Sequence, residues 1–269
     1  MTTEVTAREA SFHDAWATGV DADLVDVRAA FEATTAPENR FILSLLGDLA
    51  GKRVLDVGSG LGESSVYFAL RGARVTAADL SPKMVDLARE LARRHGTSIE
   101  GVVCPAEELA VPAASFDVVY LGNILHHVPR ALRPRVFGNL ARALAPGGRF
   151  FSWDPISYNP AIKVYRRMAT KVRTEDEDPL TFGDVATARA SFPDARHREF
   201  WILTLSLFLK YYLVDRVHPN ADRYWKKILK EPEAGLGWFR ALQHADGVLT
   251  RIPLVRRLSW NMVMWGTRA

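Results

Sequence analysis

The chain has 269 residues, of which 48% are hydrophobic and 25% charged, and its formal net charge is +4. This composition is ordinary for a soluble globular protein, and the length suits one large domain or a core domain with an added cap. The single cysteine, Cys104, excludes an internal disulfide, and together with the absence of a secretory-type pattern in MTTEVTAREA it predicts a cytoplasmic protein.

The first predicted elements are helical. Phe12, Trp16 and Val20 recur at helical spacing with polar residues between them, so residues 1–36 are expected to form a helical lead-in. A second helix is predicted to begin at Pro37, to continue through Leu49 and to end at Gly51.

From Lys52 the chain alternates between strand and helix patterns. The predicted segments are 53–57, 63–71, 74–78, 82–95, 99–103, 116–121, 130–144 and 148–153. Such alternation with short connections predicts a parallel sheet with helices on both faces.

A glycine-rich turn joins the first strand of this series to its helix. The segment VLDVGSGLG, residues 54–62, is typical of a nucleotide-binding element. A dinucleotide fingerprint would place its third glycine at position 63, but that residue is Glu63 and the glycine comes early, at Gly62. Asp56 precedes the turn and would repel a pyrophosphate. The pattern favours a ligand with an ammonium group and no phosphate, such as S-adenosylmethionine.

The second strand, RVTAAD, ends at Asp79, where a carboxylate can accept hydrogen bonds from ribose hydroxyls. Ser81 suits the cap of the following helix, and Pro82 its first turn. With these pieces the chain resembles the class I S-adenosylmethionine-dependent methyltransferases, in their type 11 or UbiE-like branch. Four segments between about Gly51 and Asp154 carry the resemblance: VLDVGSGLG, AADLSPKMVDLAR, PAEELAVPAASFDVVYLGNILHHV and LARALAPGGRFF.

The resemblance implies an α/β fold, with a Rossmann-like seven-stranded sheet that is mostly parallel, has an antiparallel last strand and is flanked by helices. The core is expected at about 38–155, with closing strands near 196–204 and 259–267. The remaining segments, 1–36, 156–195 and 205–257, are expected to form a helical cap. Within them we predict a basic helix over Ala161 to Val172, an exposed acidic loop over 174–179 and a helix over Phe182 to Phe192.

The resemblance also implies a set of cofactor-binding residues. The methionine end would be held by Asp56, Gly58, Ser59, Gly60 and Gly62, and the ribose by Asp79. Leu80 and Met84 would flank the adenine. Two other interpretations stay open: the glycines could form an ordinary strand–helix turn, and Met84 could pack in the core.

One motif departs from the family pattern. Many relatives have an aspartate before the Ala-Glu pair, whereas here Pro105 fills that place and offers neither a carboxylate nor an N–H group. We expect Ala106 and Glu107 to contact the adenine. For Glu107 the alternative is an acid at a helix N-terminus, favoured by the dipole.

The candidates for chemistry follow the fourth and fifth strands. Asn123 is expected to face the methionine or the transferred methyl group, and His126 or His127 could supply a general base. Asp154, at the carboxyl end of the fifth strand, also faces the predicted substrate side. The alternative for at least one of the histidines is local hydrogen bonding at the start of a helix, and the alternative for Asp154 is a cap for the following loop. No cysteine or acid lies at ligand spacing around the histidine pair, so no metal site is predicted.

The predicted function is methyl transfer to an O, N or C nucleophile of a small apolar or amphiphilic acceptor such as a quinone, a lipid or a secondary metabolite. The aromatic content of the cap, including the run 201–214, motivates this acceptor class, with burial in the core as the alternative for that run. The basic character of residues 153–269 indicates either a solvated surface or an anionic partner, such as a membrane surface or an acidic substrate. These features also leave open a membrane-surface enzyme acting on a lipid or lipid-linked glycan. A cofactor-binding protein without transferase activity is a further alternative. Nucleic acid is not expected as a partner, and the oligomeric state stays open.

Overall fold

The structure is a computed structural model that describes residues 2–22, 25–171, 174 and 177–269. Its centre is a seven-stranded sheet in the order β3-β2-β1-β4-β5-β7-β6. The strands are β1 Arg53–Val57, β2 Arg74–Asp79, β3 Glu100–Val103, β4 Phe116–Gly122, β5 Leu144–Pro155, β6 Arg196–Phe200 and β7 Asn261–Thr267. Strands β1 to β5 pair in parallel, and β7 is antiparallel to both β5 and β6. The predicted fold class is confirmed.

Eleven α-helices surround the sheet in the part of the chain that is described. They are α1 Thr2–Thr18, α2 Ala29–Glu32, α3 Pro37–Leu46, α4 Glu63–Leu70, α5 Pro82–Arg94, α6 Arg133–Ala143, α7 Pro160–Met168, α8 Phe182–Arg189, α9 Ser206–Leu209, α10 Tyr224–Lys227 and α11 Gly237–Leu249. One hydrophobic cluster lies on each face of the sheet, so the apolar side chains of the strands are buried on both sides. No helix among the described residues is long and apolar enough to cross a bilayer.

Several predicted boundaries shift for local reasons. Helix α3 ends at Leu46, three residues early, because Gly47 adopts a φ of 73° that a helix cannot continue. Strand β6 ends at Phe200 because Trp201, with a φ of 69°, turns the chain out of the sheet. Helix α7 begins where the Asn159 side chain accepts hydrogen bonds from the first two free backbone N–H groups.

The acidic loop differs from its prediction. Glu175 and Asp176 lie outside the described residues, as does Val172 at the end of the predicted basic helix. The Glu177 side chain is only 6% exposed and pairs with Arg166 at 3.0 Å. The ion pair holds this part of the loop against α7. The Glu177 carboxylate can be buried there because the Arg166 guanidinium compensates its charge.

The segment between β6 and β7, residues 201–260, has a hydrophobic cluster of its own. Its buried aromatic members are Trp201, Phe208, Tyr211, Tyr224, Phe239 and Trp260. Ile162 of α7 joins the same cluster, so this segment and α7 form one body above the carboxyl ends of the strands.

Candidate active site

A cavity of about 250 Å³ lies at the carboxyl ends of β1, β2, β4 and β5. In an open parallel sheet this edge is where ligands bind, since the strand order reverses there between β1 and β4. Its floor is formed by the loops after the strands, which contribute Gly58, Ser59, Gly60, Leu61, Asp79, Leu80, Cys104, Ala106, Gly122, Asn123 and Ile124. Its upper wall comes from α1 and from the segment between β6 and β7.

The glycine turn lies directly against this cavity. Gly58 has a φ of 69°, and a Cβ atom there would stand 2.3 Å from the Ile124 side chain, so only glycine fits. Gly60 donates its N–H to Asp79 Oδ2 at 2.9 Å. Gly62 does not line the cavity: a Cβ there would meet Ala88 at 2.6 Å. Its lack of a side chain lets α4 and α5 approach each other closely.

Asp56 is completely buried beneath the turn and does not line the cavity. Its Oδ2 accepts hydrogen bonds from the hydroxyls of Ser64 and Ser65 at 2.7 and 2.6 Å. Burial raises the pKa of this carboxyl to about 6, although the two serines counteract the shift. Its Oδ1 has no hydrogen-bond partner among the described residues. Ser64, which donates to Oδ2, lines the cavity between Asp56 and the cavity interior.

The carboxylate of Asp79 does reach the cavity. Its oxygens accept the N–H groups of Gly60 and Ser81, both at 2.9 Å, which orients the side chain, and burial raises its pKa. Leu80 lines the cavity beside it. Met84 does not, because it is fully buried and packs on Ala17 and Leu61.

The loop with the unusual proline also contributes one of its two predicted residues. Ala106 lines the cavity, whereas Glu107 is half-buried and does not. The amide of Asn139 donates to the Glu107 carbonyl at 3.0 Å and holds this short turn against α6. Cys104 lines the cavity as well, and its N–H donates to the Asp79 carbonyl at 2.9 Å.

Asn123 and His126 approach the cavity from the loop after β4. Asn123 adopts a φ of 60°, and its N–H donates to the Trp153 carbonyl at 2.7 Å. His126 Nδ1 lies 2.8 Å from Asp154 Oδ1, and the same oxygen accepts the backbone N–H of His126 at 3.1 Å. Burial raises the pKa of Asp154 to about 8 and lowers that of His126 well below its ordinary value. Both groups thus favour their neutral forms. Asp154 stands behind the histidine and does not line the cavity.

His127 faces a residue that the sequence analysis did not single out. Its Nδ1 lies 3.1 Å from Oε2 of Glu9 on α1, and Nε2 of His13 lies 3.5 Å from the same oxygen. Burial opposes charge on both His127 and Glu9. Their proximity outweighs it, so the pKa of His127 is raised and that of Glu9 is far below its ordinary value. No metal-ligand group was predicted from the sequence, yet the fold brings Glu9, His13 and His127 together. The sequence feature that could have indicated this is the four-residue spacing between Glu9 and His13, which places both side chains on one face of a helix.

A second polar group, also missed from the sequence, lines another part of the cavity. Asn261 donates its amide to Glu38 at 2.6 Å, and the Tyr120 hydroxyl donates to Asn39 at 2.7 Å. Burial raises the pKa of Glu38 to about 7. The indole N–H of Trp153 donates to the Tyr120 oxygen at 2.8 Å. These pairs share no sequence motif, because their members come from α3, β4, β5 and β7.

Aromatic side chains close the cavity from above. Trp16 of α1 and Trp225 of α10 meet edge to face with ring centres 6.0 Å apart. Lys226 forms an ion pair with Glu63 at the start of α4, which ties α10 to the glycine turn. Two tyrosines of the aromatic run 201–214 do not line the cavity: Tyr211 is enclosed in the cluster of the cap segment, and Tyr212 is 44% exposed.

Comparison with known proteins agrees with this architecture. Residues 54–148 match the family model described as a methyltransferase domain. A ubiquinone biosynthesis O-methyltransferase of Bordetella parapertussis is 35% identical over 54% of this chain and 66% of its own length. A protein of the same name from Xanthomonas oryzae is 42% identical over 39% of this chain and 43% of its own. The chain thus spans less than two thirds of the curated relatives it matches.

Solved structures show the same fold. A phosphoethanolamine N-methyltransferase 2 of Haemonchus contortus, in complex with S-adenosylhomocysteine, aligns over 86% of this chain and 52% of its own with a TM-score of 0.57 and 20% identity. A geranyl diphosphate C-methyltransferase of Streptomyces coelicolor aligns over 86% and 74%, with a TM-score of 0.55 and 18% identity. The matched segment is a methyltransferase domain. These matches support the resemblance of this segment to the class I S-adenosylmethionine-dependent methyltransferases.

Proposed function

We propose that this chain transfers a methyl group from S-adenosylmethionine to an O, N or C nucleophile of a small apolar or amphiphilic acceptor. The observation that carries the proposal is one continuous cavity. It runs from the glycine turn and Asp79, past Asn123, to His126 and His127, beneath an aromatic roof. This arrangement places a cofactor region and a reactive region side by side.

The floor of the cavity suits this cofactor. Gly58 and Gly60 expose backbone where a side chain would block a ligand, and Asp79 presents a carboxylate for the ribose hydroxyls. The Asp56 carboxylate, buried beneath the turn, would act on the ammonium group through its negative charge and not by direct contact. Ser59, Leu80, Ala106 and Asn123 would complete the contacts. Gly62, Met84 and Glu107 would act indirectly, by shaping the surrounding loops.

Methyl transfer from a sulfonium is an in-line displacement, so the cofactor supplies the electrophile when bound. The protein has to align the nucleophile, and good alignment supplies roughly 7–11 kcal/mol in favourable systems. Trp16 and Trp225 close the cavity and exclude water from the reacting groups. Most of the rate enhancement would come from enclosing and aligning the cofactor and the acceptor, and less from reactive side chains.

A proton acceptor is needed only if the nucleophile carries a proton. We assign this role to His126, which lines the cavity and whose low pKa leaves it neutral and able to accept. Asp154 holds the imidazole from behind through Nδ1 at 2.8 Å. His127 is already engaged with Glu9, which makes it the weaker candidate for a base.

The acceptor class is supported by the lining and by the relatives. Trp16, Trp201, Trp225 and Trp260 contribute apolar surface to the cavity, and Arg223 and Lys226 add positive charge at its upper side. Such a wall suits an aromatic or isoprenoid body with a polar end. Two matched relatives are named for ubiquinone biosynthesis, so quinone precursors are the first acceptors to test.

The test of the proposal separates binding from turnover. Calorimetry should show binding of S-adenosylhomocysteine, and Asp79→Ala should weaken it by about tenfold or more, because about two hydrogen bonds are lost. Asp86→Ala, at a site 74% exposed on α5, is the matched control and should bind normally. Tighter binding of NAD than of S-adenosylhomocysteine would refute the cofactor assignment. Binding without methyl transfer to any acceptor of the panel would favour a protein without transferase activity.

A membrane-surface enzyme acting on a lipid is the second candidate. It is favoured by three exposed apolar side chains next to Lys210: Leu209, Leu213 and Val214 are 59%, 66% and 72% exposed. Exposed apolar side chains beside cations are typical of interfacial contacts. Co-sedimentation with anionic vesicles, compared between the native chain and Leu213→Asp, tests it. Equal recovery of both proteins in the supernatant would contradict membrane contact.

A further inference from the structure

The residues Glu9, His13 and His127, here called the Glu-His-His cluster, lie at the end of the cavity next to His126. Glu9 and His13 are four residues apart on α1, which puts both side chains on one face of the helix. His127 comes from the loop after β4 and meets them from below. Two distant parts of the chain therefore bring one carboxylate and two imidazoles to a single point.

The distances within the cluster suit ligands of one ion. Oε2 of Glu9 lies 3.1 Å from Nδ1 of His127 and 3.5 Å from Nε2 of His13. Ligand atoms bound about 2.0–2.2 Å from a shared ion stand roughly 3.0 Å apart at octahedral angles and roughly 3.4 Å apart at tetrahedral ones. The observed separations of 3.1 and 3.5 Å are close to these values, and the ligand atoms of the three residues all lie within 4.8 Å of one another.

The orientation of the groups points the same way. Glu9 is 97% buried, since only 3% of its side chain is exposed. Even so, neither its carboxylate oxygens nor His127 Nδ1 has a well-aligned hydrogen-bond partner among the residues described. Buried polar atoms normally find such partners. Polar atoms that lie close together but are poorly aligned for hydrogen bonds with one another are arranged as the ligands of a shared ion would be.

We propose that the Glu-His-His cluster binds a divalent transition metal ion such as Zn²⁺. Two imidazoles and one carboxylate are a donor set that such ions accept, and three protein ligands leave open positions. Since His13 and His127 line the cavity, an open position faces the acceptor. The ion would bind and orient an acceptor oxygen. This role, though not the metal binding itself, rests on the proposed methyl transfer.

A neighbouring set of residues is less suited to a metal. His126, His127 and Glu177 also lie close enough to share an ion. However, Arg166 pairs with Glu177 at 3.0 Å, and Asp154 holds one nitrogen of His126 at 2.8 Å. A guanidinium next to the carboxylate repels a cation. The site is therefore assigned to the cluster that includes α1.

The experiment is a metal titration of the full chain after treatment with a chelator, with no cofactor present. Co²⁺ is followed by its visible absorption, and Zn²⁺ by competition and by calorimetry. We expect one equivalent to bind. Glu9→Gln and His13→Gln should each weaken binding by at least about tenfold, since even partners of metal ligands are worth about 10–100-fold. His197→Gln is the matched control, because His197 contacts Glu199 on β6 away from the cavity.

The result can overturn the inference in three ways. Co²⁺ could keep the spectrum of the free aqua ion, binding could survive both substitutions, or His197→Gln could abolish it equally. Any of these would make Glu9 and His127 an ion pair without a metal. Circular dichroism verifies folding, and His13→Gln, at a site 18% exposed, still decides the matter if Glu9→Gln fails to fold. Binding of S-adenosylhomocysteine to metal-free protein separates failure of this inference from failure of the proposed function.

Discussion

The guanidinium of Arg223 lies 4.0 Å from the centre of the Trp16 ring. This contact joins α1, at the start of the chain, to the segment between β6 and β7, and it closes the cavity over the glycine turn. A cation over an indole contributes about 0.5–2 kcal/mol, the upper value when it is desolvated. Arg223 is half-buried, and the loss of solvent around it lowers its pKa. This cation–π contact therefore helps to hold α1 and the segment between β6 and β7 together above the cavity.

The roof leads to a prediction about acceptor binding. Trp225→Ala removes an aromatic wall and its edge-to-face contact with Trp16, so we expect the KM for the acceptor to rise by about tenfold, with little change in S-adenosylhomocysteine affinity. Steady-state kinetics and calorimetry measure the two quantities. Trp238→Ala, at an exposed site away from the cavity, is the control. A larger loss of cofactor affinity than of acceptor affinity would contradict the assignment of this wall.

The proline at position 105 leads to a second prediction. Pro105 begins the turn whose next residue, Ala106, lines the cavity. Pro105→Asp should preserve or improve the affinity for S-adenosylhomocysteine, since it restores a carboxylate beside the adenine. Pro105→Ala is the matched control without the carboxylate. A large loss in Pro105→Asp, but not in Pro105→Ala, would show that the carboxylate is not tolerated in this loop.

The pair of His126 and Asp154 leads to a third prediction, which concerns kcat. Asp154→Asn keeps an acceptor for the backbone N–H of His126 but weakens the control of the ring through Nδ1. We expect kcat to fall by about 10²–10⁴-fold, as for loss of a general base, with S-adenosylhomocysteine affinity unchanged. His126→Gln should cost a similar amount, and the double variant should cost little more than either. Additive losses would show that the two residues act separately.

Glu38 leads to a prediction about pH and stability. Burial raises the pKa of this carboxyl from 4.5 to about 7. The folded state therefore prefers the protonated form. Its contribution to stability is fully present below about pH 4.5 and is lost as the pH rises to about 7. The difference corresponds to roughly 3 kcal/mol in the free energy of unfolding.

Urea unfolding at pH 5 and pH 8 measures this effect. Glu38→Gln keeps an oxygen for the amide of Asn261, so it should lose less stability than the native chain between these two values. Glu108→Gln, at a site 62% exposed, should behave like the native chain. An unchanged pH dependence in Glu38→Gln would mean that the carboxyl titrates normally in the folded state.

A buried ion pair gives a fifth prediction. Arg133 is fully buried on α6 and pairs with Asp184 of α8 at 2.9 Å. Arg133→Met leaves the carboxylate without its partner and should lower the free energy of unfolding by about 3–5 kcal/mol. Arg135→Met, 60% exposed on the same helix, should change it by less than about 0.5 kcal/mol. Thermal and urea unfolding compare the two. Equal stabilities would exclude a structural role for the pair.

The strand and helix pattern from residue 53 to residue 155 predicted the sheet, because local periodicity and turn chemistry decide these elements. The positions of the glycine turn and Asp79 could be predicted for the same reason, because a glycine-rich turn between a strand and a helix brings its backbone to the ligand-binding edge of the sheet. Residues such as Glu9, Glu38 and Asn261 carried no such signal. Each meets its partner across a large sequence distance, and only packing brings the two together.

The sequence by itself determined the fold class and the floor of the cavity, since backbone conformation there depends on neighbouring residues. Tertiary structure decided which predicted residues face the cavity. It placed Gly62 and Met84 in helix packing, directed His126 toward Asp154, and brought α1 over the histidines. Side-chain burial and long-range contact depend on how whole elements pack, and a local pattern does not encode that packing.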